Sequence, residues 1–157
     1  MLTCPSGEQA PLAASPLLEI ANVMVHLYKD AFGRGPSRTR AQFSGSDTLV
    51  VLLEDMMTIA ERQLVALGEQ ARVREQRLFL QLALEDKKRS EVERILKRRA
   101  LACVSGTDPD RDLAAEVFLL APDPAGNGRH ARAEVLGEDA VVDRSSDPSR
   151  VGAGNGC

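Results

Sequence analysis

The feature that most constrains this chain is Phe32-Gly33-Arg34-Gly35-Pro36, placed between an amphipathic helical stretch and a strand-like alternation. Upstream, Ile20, Val23, Met24, Leu27 and Ala31 recur at the i, i+3, i+4, i+7 spacing of one buried helical face. Gly33 suits the left-handed conformation that ends a helix, Gly35 adds a second permissive point, and Pro36 blocks re-entry. Ser15-Pro16 opens the same helix, as an N-cap followed by proline at the first helical position. The loop therefore holds an arginine between two glycines beside a helix C-terminus.

Beyond the loop, Arg38 to Phe43 alternates polar with small or apolar residues, Ser44-Gly45-Ser46-Asp47 supplies turn chemistry, and Thr48 to Leu53 is an apolar run. Together they predict a hairpin whose second strand is the more buried. Thr58-x-x-Glu61 is a capping box opening a helix that carries Ile59, Leu64 and Leu67 until Gly68 stops it. A longer helix is predicted from about Glu69, with Val73, Leu80 and Leu84 on one side and Leu78 and Leu82 beside them. Ser90-x-x-Glu93 marks either a new helix or the interior of one bent helix. Leu101 to Val104 and Val117 to Leu120 read as two more strands joined by a polar loop at 105–115. The expected domain, 15–121, is an α+β two-layer sandwich of order α-β-β-α-α(-α)-β-β. Its sheet is four-stranded and mainly antiparallel, with the helices on one face. Residues 1–14 are predicted to be a flexible N-terminus. Residues 122–157 hold six of the twelve glycines, and Ala133 to Leu136 is too short to build a core. A disordered tail is expected there.

Composition narrows the function classes. The net charge of −3, the absence of Trp and the single Tyr28 argue against a globally basic or base-stacking nucleic-acid binder. One locally positive surface is expected from Lys87, Lys88, Arg89, Arg94, Lys97, Arg98 and Arg99; a regulatory nucleic-acid-binding domain using 87–99 is the alternative function. Apolar runs fall far short of a bilayer span, and the N-terminus lacks the basic and apolar regions of a secretory signal. Cys4, Cys103 and Cys157 have neither disulfide-framework nor metal-ligand spacing, so a soluble cytoplasmic protein is expected. Cys103 reads as a small buried hydrophobe. His26 and His130 have no neighbours suited to a triad or a metal site, and Asp108-x-Asp110-x-Asp112 lacks the remaining ligands of a calcium loop. No catalytic residue, metal or cofactor is expected. Gly33, Arg34, Gly35 and Pro36 have two readings, a helix stop with a tight turn or a loop that meets a partner or an anion.

Tyr28-Lys29-Asp30-Ala31-Phe32-Gly33-Arg34-Gly35-Pro36 resembles the "GRGP" helix end of the C-subunit-like (MpsC-like) domain of a sodium-translocating, membrane-potential-generating system. In order along the chain, Leu49–Leu53, Met57-Thr58-Ile59-Ala60-Glu61, Val73-Arg74-Glu75-Gln76-Arg77 and Val117-Phe118-Leu119-Leu120 match further signatures. The resemblance spans about residues 17–121. Ala100-Leu101-Ala102 departs from it where the family commonly has a glycine, and the 105–115 loop is this chain's own. The resemblance implies a bacterial, non-enzymatic accessory domain linked to membrane potential and to bicarbonate or cation uptake. It also implies a protein partner within a membrane transport complex, reached from the cytoplasmic side of the inner membrane.

Overall fold

Seventeen residues, Pro16–Phe32, form α1, with proline in the first turn and Leu17, Ile20, Ala21, Met24 and Tyr28 buried. The structure, a computed structural model, describes residues 15–123 and the backbone of the strand Arg132–Leu136. Tyr28 belongs to the inward stripe of α1, while Val23, Leu27 and Ala31 flank it half-buried. Gly33 ends the helix in the left-handed region at φ +75°, its N–H donating to the Lys29 carbonyl at 2.9 Å.

Strands β1 (Arg38–Ser44) and β2 (Thr48–Glu54) make the expected hairpin, pairing Thr39 with Leu53, Ala41 with Val51 and Phe43 with Leu49. Three helices follow, α2 (Ile59–Ala66), α3 (Gln70–Ala83) and α4 (Glu85–Leu96), and then β3 (Ala100–Asp108), β4 (Leu113–Leu120) and β5 (Arg132–Leu136). The order α-β-β-α-α-α-β-β matches the sequence reading, and the sheet runs β3-β4-β2-β1-β5 with every pair antiparallel. Leu49, Val51, Leu53, Ala114, Phe118 and Leu120 meet α1 and Val92 of α4 in one core. The opposite sheet face carries Leu101, Val104 and Leu119 in the open.

Three expectations are corrected, and one alternative left open is decided. The sheet has a fifth strand within the span read as tail: Arg132–Leu136 pairs with Gln42–Arg38 of β1, satisfying backbone groups that would otherwise form an open edge. The rest of the expected tail, and the flexible 1–14 segment, lie outside the described residues. The polar loop at 105–115 is mostly strand. Ser105 and Thr107, at alternate positions of β3, and Glu116 of β4 bond to Lys88 and Gln81 on the helices above them. On α2, Ile59 and Leu67 face outward, and the residue that helix buries is Glu61. Ser90 starts no helix. The break falls at Leu84, and Glu93 instead accepts the Ala100 N–H at 2.8 Å.

Across α3 and α4 the inward face mixes polar side chains with the apolar Val73, Leu84 and Val92. Val73, Arg77, Gln81 and Lys88 are buried, while Leu78, Phe79 and Leu82 are exposed. Lys88 Nζ lies 2.8 Å from Glu116 Oε2, and the Tyr28 and Ser105 hydroxyls donate to the same carboxylate. Gln81 ties Tyr28 (3.1 Å) to Thr107 (3.3 Å). Burial, followed by the Glu116 charge, pushes the Tyr28 phenol well above its ordinary pKa, so it remains a donor.

Deleting residues 124–157 is expected to lower the melting midpoint by about 5 °C or more, because β5 is lost and the edge of β1 opens. A chain truncated after Leu136 retains the strand and is the reference. Equal midpoints for the two truncations would contradict a stabilising role for β5.

Candidate functional site

Three loops converge at one end of the sheet, and the glycine-flanked arginine is among them. Gly35 folds back on α1 so closely that an added Cβ would stand 3.3 Å from the Val25 carbonyl oxygen and 3.4 Å from Lys29 Cβ. Pro36 is buried. With the backbone held on both sides, Arg34 Nη2 reaches across to Asp55, 3.2 Å from Oδ2 and 3.4 Å from its carbonyl oxygen. The first of these two contacts dominates, since the second is at the limit of hydrogen-bond length.

Asp55 leads from β2 toward α2 at φ +52°, and Asp112 closes the β3–β4 turn at φ +47°. Both are left-handed, a conformation that aspartate tolerates better than most L-residues but that still stores strain. Hydrogen bonds hold them there. The Asp55 N–H donates to the Asp112 carbonyl at 2.9 Å, and Asp112 Oδ1 accepts the N–H groups of Met56 and Met57, each at 2.9 Å. Arg62 on α2 completes the cluster, with Nη2 2.6 Å from Asp55 Oδ1 and 3.5 Å from Asp112 Oδ2. Burial tends to raise the Asp55 pKa, but bonds from Arg62 and Ser37 and the Arg34 charge outweigh it and hold it below the ordinary carboxylate value. Asp55 therefore stays ionised at neutral pH.

The corner is a charge-balanced set of two arginines and two aspartates, partly open to solvent and least so at Asp112. Such a set can exchange partners. A carboxylate on a docking protein can take an Arg34 or Arg62 N–H that now faces Asp55, with the guanidinium fork already positioned. Among the described residues, no group of three His, Cys, Asp or Glu side chains is arranged to hold a metal ion. The aspartates of the calcium-like run are engaged elsewhere: Asp108 pairs with Arg111 at 2.9 Å and accepts the Asp110 N–H at 3.1 Å. Cys103 is half-buried, and burial pushes its thiol pKa up to about 12, as for an inert thiol.

The basic stretch does not form one surface. Lys88 is fully buried on Glu116, which removes it from the expected set; its four-carbon stem crosses the helix–sheet interface to reach that carboxylate. Arg89 donates to the Ala100 carbonyl at 2.7 Å, Arg94 bridges Glu19 and Glu91 at 2.9 Å each, and Arg98 donates to the Ser46 carbonyl at 2.9 Å. Lys87, Lys97 and Arg99 are exposed.

The sequence singled out Arg34 and missed Asp55, Arg62 and Asp112. One signal was present. Asp55 and Asp112 each abut an apolar strand, at a position where aspartate commonly takes a left-handed turn conformation.

The family model described as "Na+-translocating membrane potential-generating system (MpsC)" matches residues 17–122, the full span from α1 through β4. No curated protein and no solved structure matches the chain.

Proposed function

Because this chain belongs to the MpsC family, we propose that it is a non-enzymatic accessory domain of a membrane-potential-generating system, docking on a membrane-embedded partner through the Arg34–Asp55–Arg62–Asp112 corner. The observation that carries this reading is the family match over residues 17–122. Among the described residues no helix is long and apolar enough to cross a membrane. In this reading the ion path lies in a partner that spans the bilayer, as ion passage requires. The domain sits peripherally on the cytoplasmic side of the inner membrane. Gly33, Gly35 and Pro36 fix the loop, and Arg34 and Arg62 offer guanidinium groups to a carboxylate of the partner. A fixed loop loses little freedom on docking, which favours this corner as the contact.

The test is complementation of a deletion strain, followed with a potential-sensitive dye at defined sodium concentration. Wild-type protein is expected to restore the potential, and Arg34→Glu/Arg62→Glu to fail while remaining folded. Arg34→Ala and Arg34→Lys, measured for melting temperature and complementation together, separate the two jobs of this arginine. Lost complementation with a near-normal midpoint supports docking. A lowered midpoint with full complementation sinks the docking role, and a deletion strain with normal potential sinks the function.

A further inference from the structure

We infer that the outer face of α3 is a two-fold interface between two copies of this chain, paired antiparallel about Phe79. The inference is independent of the docking corner. Leu78, Phe79 and Leu82 are 45%, 67% and 55% exposed, three large apolar side chains within about one helical turn. The helix cannot roll to bury them, because its inward face is committed: Arg77 binds Glu61 at 2.7 and 2.8 Å, and Gln81 binds Tyr28 at 3.1 Å.

The stripe is self-complementary in shape. Arg72, Glu75, Gln76 and Phe79 line a shallow, open depression on α3 together with Leu80. They stand at i, i+3, i+4 and i+7, the four-residue diamond that receives a knob from a facing helix. Antiparallel pairing centred on Phe79 sets Gln76 opposite Leu82 of the second copy, so each Leu82 enters the other copy's hollow. A two-fold interface requires this reciprocity.

The stripe is also self-complementary in charge. Arg72 lies at one end, and Asp86, about four turns away on the same side, lies at the other. Leu84 keeps a right-handed backbone at φ −88° and ψ −8°, which carries the stripe from α3 into the first turn of α4. The pairing that sends Leu82 into the hollow also sets Arg72 of each copy opposite Asp86 of the other. Arg72 is held in place by Glu69 at 2.9 Å.

Sedimentation equilibrium of the full chain over a wide concentration range tests this, with circular dichroism confirming that each variant is folded. Wild type is expected at twice the 17.0 kDa chain mass. Leu82→Glu should weaken association by about 100-fold or more, as for a buried interface anchor present twice. Asp86→Arg alone should also weaken it, and Asp86→Arg with Arg72→Asp should restore it to within a few-fold of wild type. A wild-type monomer throughout overturns the inference, including one that captures a helix of some other protein on this face. So does a dimer indifferent to Leu82→Glu, or a double charge swap no better than the single.

Discussion

Lys88→Met is expected to destabilise the domain by about 3–5 kcal/mol, the range for removing one partner of a buried ion pair. Lys88 and Glu116 are both fully buried, with Nζ 2.8 Å from Oε2, and the chain offers Glu116 no second cation among the groups bonded to it. Truncating the lysine leaves a carboxylate in the core with only neutral donors around it. Adding Glu116→Gln to the same chain removes that charge; the amide oxygen still accepts from the Tyr28 hydroxyl, and the amide NH2 can donate to the Ser105 hydroxyl oxygen. The double variant should therefore be more stable than Lys88→Met alone, although it carries one more substitution. Urea unfolding of the wild type, both single variants and the double variant closes the cycle. Strictly additive losses would show that the two residues do not interact.

Arg77→Ala should cost a similar amount, about 3–5 kcal/mol, and should also change the acid limb of the stability curve. Arg77 gives Glu61 two bonds, 2.8 Å from Nε and 2.7 Å from Nη2, and its Nη2 also reaches the Met56 carbonyl at 3.1 Å. Its guanidinium carbon lies 4.7 Å from the Phe32 ring centroid, which adds a cation–π contact. Burial tends to raise the Glu61 pKa, but the Arg77 and Thr58 bonds outweigh it and leave it below the ordinary value. A carboxyl whose folded pKa is depressed stabilises the fold fully above its unfolded pKa of about 4.3, and loses that contribution as pH falls through the folded value. Without Arg77 only the Thr58 bonds oppose burial, so the depression shrinks and acid unfolding should begin at higher pH. An acid titration followed by far-UV circular dichroism reads the shift. An unchanged acid midpoint would mean that Glu61 does not depend on Arg77 for its charge.

Local signals were legible in the sequence. The Gly33 stop, the first hairpin and the Thr58–Glu61 capping box depend on residues a few positions apart, and each stands where its chemistry placed it. The capping box is complete in both directions. On α3 the side carrying Val73 and Leu84 does face inward, but apolar periodicity sets Leu78 and Leu82 beside it, and both are exposed. The partners that draw Arg77, Gln81 and Lys88 inward instead are Glu61, Tyr28 and Glu116, supplied by three other elements. Ser105 and Thr107 read as loop for the same reason, since each owes its place in a strand to a polar group on a helix or neighbouring strand. At the corner, the loop geometry around Arg34 was readable. Its bond to Asp55 spans 21 positions and depends on two left-handed aspartates that no periodicity reveals.

The placement of β5 has a consequence for how the chain is made. Strands β3 and β4 finish at the far side of the sheet, yet the next strand to emerge from the ribosome must travel past β2 and join β1 at the opposite side. At elongation rates of about 5–20 residues per second, synthesis from Leu120 to Leu136 takes about 1–3 s. Until β5 arrives, β1 has no neighbour on one flank. Arg38 and Arg40, on that strand and paired with Glu54, put charge where a crowded polysome would otherwise bring growing chains edge to edge.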